Sequence, residues 1–146
     1  MDSNASFEDL CSNPAFAMLM DNLGAGVVVY SADGGILFAN SVMVNWRNIP
    51  RQEYMKRNVH DFIPDIDVFD MACQQKRPVS RLQYYQNLQQ PGGPMRTRLT
   101  TCTPIFDGDG TIKYVLTLLQ DVDDYQKVYS GLLKKNEILH TERPSI

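Results

Sequence analysis

Residues 103–124 read TPIFDGDGTIKYVLTLLQDVDD, and this stretch decides the fold. Two strand-like runs flank Asp107-Gly108-Asp109-Gly110. Glycine accepts positive φ without strain, so those four residues predict a hairpin turn. Ile112–Leu119 is rich in β-branched, aromatic and other apolar residues and lacks Gly and Pro, which predicts a buried strand. The chain then turns acidic at Asp121-Val122-Asp123-Asp124, after which an apolar residue recurs every three or four positions. Aspartate at a helix start accepts from free N–H groups and complements the positive dipole end. A buried strand joined directly to an exposed helix can carry a change in the core outward. Asp121 and Asp123 are therefore the expected relay residues.

Working outward, Met95–Ile105 alternates as a strand, with Arg96 and Arg98 on one face, and Pro91-Gly92-Gly93-Pro94 before it is a loop. Val79–Leu88 reads as a further strand, and Ile66–Lys76 as a helix ended by Arg77-Pro78. Val59, Phe62 and Ile63 are core candidates closed by Pro64, after a helical turn at Gln52–Arg57. Gly24–Asn40 is a hairpin: Val27–Tyr30, a turn at Ala32-Asp33-Gly34-Gly35, and the return strand Ile36–Ala39. Asn40 then caps a helix from Ser41 to about Arg47, which carries Val42, Met43 and Trp46. Phe7–Leu23 is helical in two pieces, with Asn13 as cap and Pro14 in the first turn of the second. Phe16, Leu19, Met20 and Leu23 form one apolar stripe there, suited either to the domain's own sheet or to a dimer. The absence of a βαβ rhythm predicts an α+β fold: an antiparallel sheet with helices gathered on one face.

With 146 residues the chain can bury one real core with extra helix at each end. The net charge is −3 and there is no block of Lys or Arg, which argues against a direct nucleic-acid or anionic-membrane surface. Cys11, Cys73 and Cys102 are an odd, widely spaced set, so free thiols in a reducing cytoplasm are expected rather than a disulfide framework or a zinc site. No apolar run approaches a membrane span.

In the order and spacing of these pieces the chain resembles the PAS domain family, the small sensor module of signalling proteins. The residues that carry the resemblance are GVVVYSADGGILFAN with Asp33, Gly34 and Asn40, then KRNVHDFIP, with Arg57 where the family usually has Gly, and finally Pro104, Ile105, Gly110, Ile112, Val115 and Asp121-Val122-Asp123. Asp123 stands where the family usually has Thr or Ser, with the same capping chemistry. The resemblance covers about Phe16 to Asp124. It implies a five-stranded antiparallel sheet flanked by short helices, a pocket between them, and a sensor or dimerisation role rather than catalysis. The expected organisation is an N-terminal extension or tag over residues 1–13, the PAS domain over 14–124 and a signalling or linker helix over 125–146.

The default pocket is apolar and lined by Val29, Phe38, Trp46, Phe62, Phe69 and Leu116. Arg81, Tyr84, Tyr85, Arg96, Arg98 and Thr100 lie on strands near it, Tyr84 and Arg98 among the lining candidates, and arginines there could hold a carboxylate in bidentate fashion. The same alternation could instead place them in water. Light sensing by a flavin adduct needs a cysteine that the segment Arg57–Phe62 lacks, since Val59 occupies its position. The helix over 66–76 has no histidine for haem, which leaves Cys73 and His60 as ligands in principle; a packed thiol and a surface or capping imidazole are the ordinary readings. His140-Thr141-Glu142-Arg143-Pro144 only partly fits a phosphoacceptor motif, and reads as an ordinary tail. No catalytic set emerges, so neither an enzyme nor a metal site is expected, and no cofactor beyond an unidentified small-molecule ligand.

Val122, Tyr125, Tyr129, Leu132, Asn136 and Leu139 are spaced 3, 4, 3, 4 and 3, a heptad seam with Asn136 at a position where a buried amide fixes register. The alternative is a single amphipathic helix lying on its own sheet. The expectation is therefore a cytoplasmic homodimer whose coiled-coil-like C-terminal helix reports to an output domain of a sensor kinase or transcriptional regulator, without direct contact to nucleic acid or membrane. A ligand-free dimerisation scaffold and a haem- or flavin-binding sensor are the competing readings.

Overall fold

The computed structural model describes residues 3–62, 67–86 and 95–139. Ile63, Pro64, Ile66, the Pro91–Pro94 loop and the tail from His140 lie outside them. Five strands form one antiparallel sheet: β1 (Gly26–Ser31), β2 (Ile36–Ala39), β3 (Val79–Gln86), β4 (Met95–Phe106) and β5 (Ile112–Asp121). Their spatial order is β2-β1-β5-β4-β3, so the strand of the opening stretch is the central one. Its apolar run is explained by that place, flanked by strands on both edges. The 107–111 turn closes as expected: Gly110 sits at φ +80°, and Asp107 Oδ1 accepts from the amides of Asp109 and Thr111.

Helices pack on both faces of the sheet, not on one. α3 (Ser41–Arg47), α4 (Arg51–Tyr54), α5 (Val59–Phe62) and α6 (Val68–Gln75) cover one face, called inner here. Val28, Tyr30, Met43, Tyr54, Val68, Phe69, Ala72, Val115 and Leu119 form its buried core. α1 (Ser3–Cys11) and α2 (Pro14–Asp21) lie on the outer face, where Phe16 meets Phe38 and Phe7 stacks on Tyr114 at 4.0 Å. The difference arises from the stripe on α2, which divides. Phe16 and Met20 pack on the sheet, while Leu19 and Leu23 stay exposed.

Asn40 holds the two layers together. It is fully buried and caps α3 through Met43 N. Its Oδ1 also accepts from Val27 N, and its Nδ2 donates to the carbonyls of Met20 and Ala25. Replacing such a group would leave several buried backbone partners unsatisfied. Gly26 admits α3 close to β1: a Cβ there would lie 2.9 Å from the Trp46 ring.

The last helix, α7 (Val122–Lys134), departs from expectation at its end. It stops before Asn136 and Leu139. Asn136 takes the left-handed conformation at φ +53°, its amide donates to Leu133 O, and Glu137 N donates to Leu132 O. That pair of bonds is a Schellman closure, in which asparagine serves because it tolerates positive φ. Asn136 is thus a helix terminator and not a register-setting amide, and Leu139 lies beyond the helix, 90% exposed.

Candidate functional site

Strand alternation divides the expected pocket. Trp46, Phe62 and Phe69 belong to the inner core, together with the buried Arg98. Val29 and Phe38 point to the opposite face, in the cluster under α1 and α2. Leu116 pairs with Val29 in register and shares that outer face, 40% exposed. Tyr84 borders the inner cavity but is 78% exposed. The eight residues therefore do not converge. The cause is the two-residue period: Val29 and Tyr30 are neighbours in sequence on opposite faces.

What the inner face does assemble lies near the ends of β3 and β4. Arg98 stands across from Gln83 on β3 and Asp121 on β5, and is 6% exposed. Its guanidinium lies 4.0 Å from the Trp46 ring centroid and 3.2 Å from that of Tyr85. Arg47, in the last turn of α3, covers Phe62 at 4.2 Å. Arg47, Phe62, Tyr85 and Arg98, with Gln83, Tyr84 and Leu119, line a cavity of about 210 Å³. The Nε atoms of Arg47 and Arg98 are buried without a hydrogen-bond partner among the described residues. Burial pushes the Arg98 pKa down. Deeper in, Thr100 donates to Gln83 at 2.6 Å and Gln83 donates to the buried Asp67 at 3.0 Å. The Cys102 thiol, walled in beside Thr117, is pushed up to about 12 by burial. Another hollow, of about 310 Å³, lies at the root of α7 against Leu99 and Gln120.

Next to this cavity is the strand-to-helix joint. Asp121 ends β5 and caps α7, accepting from Asp124 N at 2.9 Å. Arg96 grips the same carboxylate with two bonds of 2.9 and 2.8 Å, and its Nη2 also reaches Asp124 at 3.0 Å. The Tyr85 hydroxyl donates to Asp121 Oδ2 at 2.8 Å. Burial by itself would raise the Asp121 pKa, but Arg96, the Asp124 amide and Tyr85 outweigh it and hold the carboxyl at about 2. Asp123 is looser: it accepts from Thr97 N at 3.3 Å and lies 4.0 Å from Arg96. Tyr85 joins the two parts, with its ring on Arg98 and its hydroxyl on Asp121.

Sequence reasoning reached Arg98, Trp46 and Asp121 but missed Arg47 and the role of Arg96 as the partner of Asp121. The signal for Arg96 was present, since it shares a face of β4 with Arg98, the register partner of Asp121. Arg47 left no pattern, because an arginine in a last helical turn is ordinary. Of the groups weighed as haem ligands, His60 bonds Asp70 at 2.7 Å, and Cys73 sits half-buried with its pKa raised by burial. Among the described residues no group of three or more His, Cys, Asp or Glu is placed to hold a metal.

Residues 20–126 match the family model described as PAS fold. The chain belongs to the PAS-fold family. Solved PAS domains share its architecture. One from a two-component sensor histidine kinase is 14% identical with a TM-score of 0.54, the match covering 82% of this chain and 99% of that one. A sensory box sensor histidine kinase from Vibrio cholerae is 18% identical, covering 84% and 98%, with a TM-score of 0.52. Vibrio cholerae VqmA, in a structure described as bound to DPO, is 16% identical, covering 75% of this chain and 57% of that one, with a TM-score of 0.58. A search of curated protein sequences finds no match. Among the described residues of this PAS domain, no helix is long and apolar enough to cross a membrane.

Proposed function

We propose that this PAS domain is the sensor and dimerisation part of a larger cytoplasmic signal-transduction protein, a sensor kinase or a transcriptional regulator, and is not itself an enzyme. It reads the occupancy of the cavity beside Arg98 and passes it through Asp121 into α7, and so to an output domain. The observation that carries this reading is the joint. One carboxylate ends the central strand, caps the exposed helix and is bonded to a tyrosine that stacks on the cavity wall. A change at Arg98 can therefore alter the cap of α7 through two contacts, which is the kind of discrete local change that switching needs. That VqmA, a neighbour in fold, is described as bound to DPO supports a small-molecule input.

Dimerisation is proposed through Tyr125, Tyr129 and Leu132, which leave an exposed seam on α7 with Val122 at its start. No nucleic-acid or membrane contact is assigned to the domain. The cavity falls below the ~300 Å³ at which small-molecule sites usually begin, which disfavours haem and flavin there and keeps a ligand-free scaffold as the second reading. In the full-length protein, Asp121→Ala should leave the domain folded but sever output from input. Output that still follows the stimulus in that variant rules the relay out.

A further inference from the structure

The exposed seam of α7 is bordered by charges of opposite sign at its two ends. Tyr125, Tyr129 and Leu132 lie at i, i+4 and i+7 on one side of the helix, 66%, 54% and 42% exposed. Beside that stripe runs a second row: Asp124 in the first turn, then Val128, Gly131 and finally Lys135 at the C-cap. Asp124 and Lys135 are eleven residues apart, about three turns at 3.6 residues each, so both stand on the same flank of the seam. Arg96 reaches Asp124 through Oδ1, yet the Asp124 side chain is 71% exposed, and Lys135 is exposed as well. The other flank carries the uncharged Gln126 and Leu133, and Lys127 and Lys134 lie round the back. Past the Schellman closure, Ile138 is 55% and Leu139 90% exposed. At the opposite end of α7, Leu99, Gln120, Val122 and Tyr125 line the hollow of about 310 Å³.

We propose that a second copy of this chain docks antiparallel along α7, with Tyr129 facing its own counterpart, Asp124 paired with the partner's Lys135 at each end, and the partner's Ile138 and Leu139 in the hollow at the root of the helix. This rests on the dimer reading above and fixes its orientation. A two-fold axis that reverses the helix sets like flank against like flank. The flank with Asp124 and Lys135 therefore meets itself end for end, and both pairs are opposite in sign. Parallel pairing sets the same flank against Gln126 and Leu133 and gains neither pair. One register serves every contact: Asp124 and Lys135 lie five and six residues either side of Tyr129, and Tyr125 and Leu132 lie four and three. That register also carries the segment past the partner's helix to the level of Gln120 and Asp121, where the hollow opens. The two helix dipoles then oppose each other, which is favourable, instead of lying side by side in one direction. Burial of the aromatic and aliphatic stripe supplies the affinity, and the exposed ion pairs, individually weak, select the orientation.

The orientation is tested by exchanging charges and measuring the dimer Kd of the whole chain by sedimentation equilibrium. Asp124→Lys and Lys135→Glu should each weaken the dimer about tenfold at low salt, because each places like charges in both pairs. An equimolar mixture of the two variants should recover the wild-type Kd, since the mixed dimer restores an opposite-sign pair at each end. In 1 M salt, where the screening length is about 3 Å, both effects should shrink. Lys134→Glu, on the back of the helix, should behave as wild type. Leu139→Ser should weaken the dimer severalfold, and an unchanged Kd in that variant overturns the seat in the hollow. Asp124 also touches Arg96, so Lys135→Glu, at the far end of α7, separates lost pairing from a damaged cap, with circular dichroism as the folding control. A wild-type dimer that neither charge variant weakens, or a mixture no tighter than the variants alone, overturns the antiparallel arrangement and leaves the dimer reading standing. A wild-type monomer overturns both.

Discussion

At the scale of single residues, Asp121 concentrates most of the energetics of the joint. Its folded pKa of about 2 lies below the ordinary 3.8. A depressed carboxyl stabilises the fold above its unfolded pKa, and that contribution is lost as pH falls from about 4 toward 2. The contribution is on the order of 1–2 kcal/mol once solvent on the Arg96 side is allowed for. Asp121→Asn should therefore lower stability at pH 7 and flatten the pH dependence between 4 and 2; urea unfolding across that range measures both, and an unchanged slope contradicts the assignment. Tyr85→Phe keeps the ring on Arg98 and removes only the hydroxyl donor, with an expected cost of about 1 kcal/mol in the same assay. Gly26→Ala makes the opposite kind of error, adding a carbon 2.9 Å from Trp46 and 3.1 Å from Met43 Sδ. Overpacking of this sort costs about 1–3 kcal/mol, and thermal unfolding followed by Trp46 emission would show it.

At the scale of elements, the strands and most helix starts were legible in the sequence, because turn and cap chemistry is local. Asn13, Asn40 and Asp121 all cap where their residue types suggested. What lay beyond reading was which face an element covers. Val29 and Phe38 fit an apolar pocket as well as Tyr30 and Phe69 do by composition, and only the position of α1 and α2 assigns them to the outer layer. The end of α7 misled for a related reason: Asn136 fits both a heptad core and a left-handed cap, and spacing cannot choose between them. The two readings differ in outcome. Asn136→Gly should keep the helical content of α7, whereas Asn136→Val should fray its last turn by about 1 kcal/mol, because a β-branched residue resists positive φ. Helicity by circular dichroism, together with amide exchange at Glu137, checks this; a gain in helix with Val would restore the coiled-coil interpretation.

At the scale of the whole molecule, exposed apolar groups gather on the outer face and along α7: Leu19, Leu23, Leu82, Leu116, Tyr125, Tyr129 and Leu132. Solitary surface hydrophobics are normal, so the dimer proposal rests on Tyr125, Tyr129 and Leu132, which share one helix at spacings of four and three. Light scattering should give a dimer mass at micromolar concentration, and Tyr129→Glu should shift it to the monomer. A wild-type monomer would remove dimerisation from the function proposed here. The strand order has a consequence of another kind. The middle of the sheet joins β1 to β5, pairing Gly26 with Leu119, so the first strand to leave the ribosome waits for the last. Until then each hairpin has an unpaired edge and the sheet has no centre, a non-local pairing of the kind that slows folding, so refolding should be slower than for a sheet built of local hairpins alone.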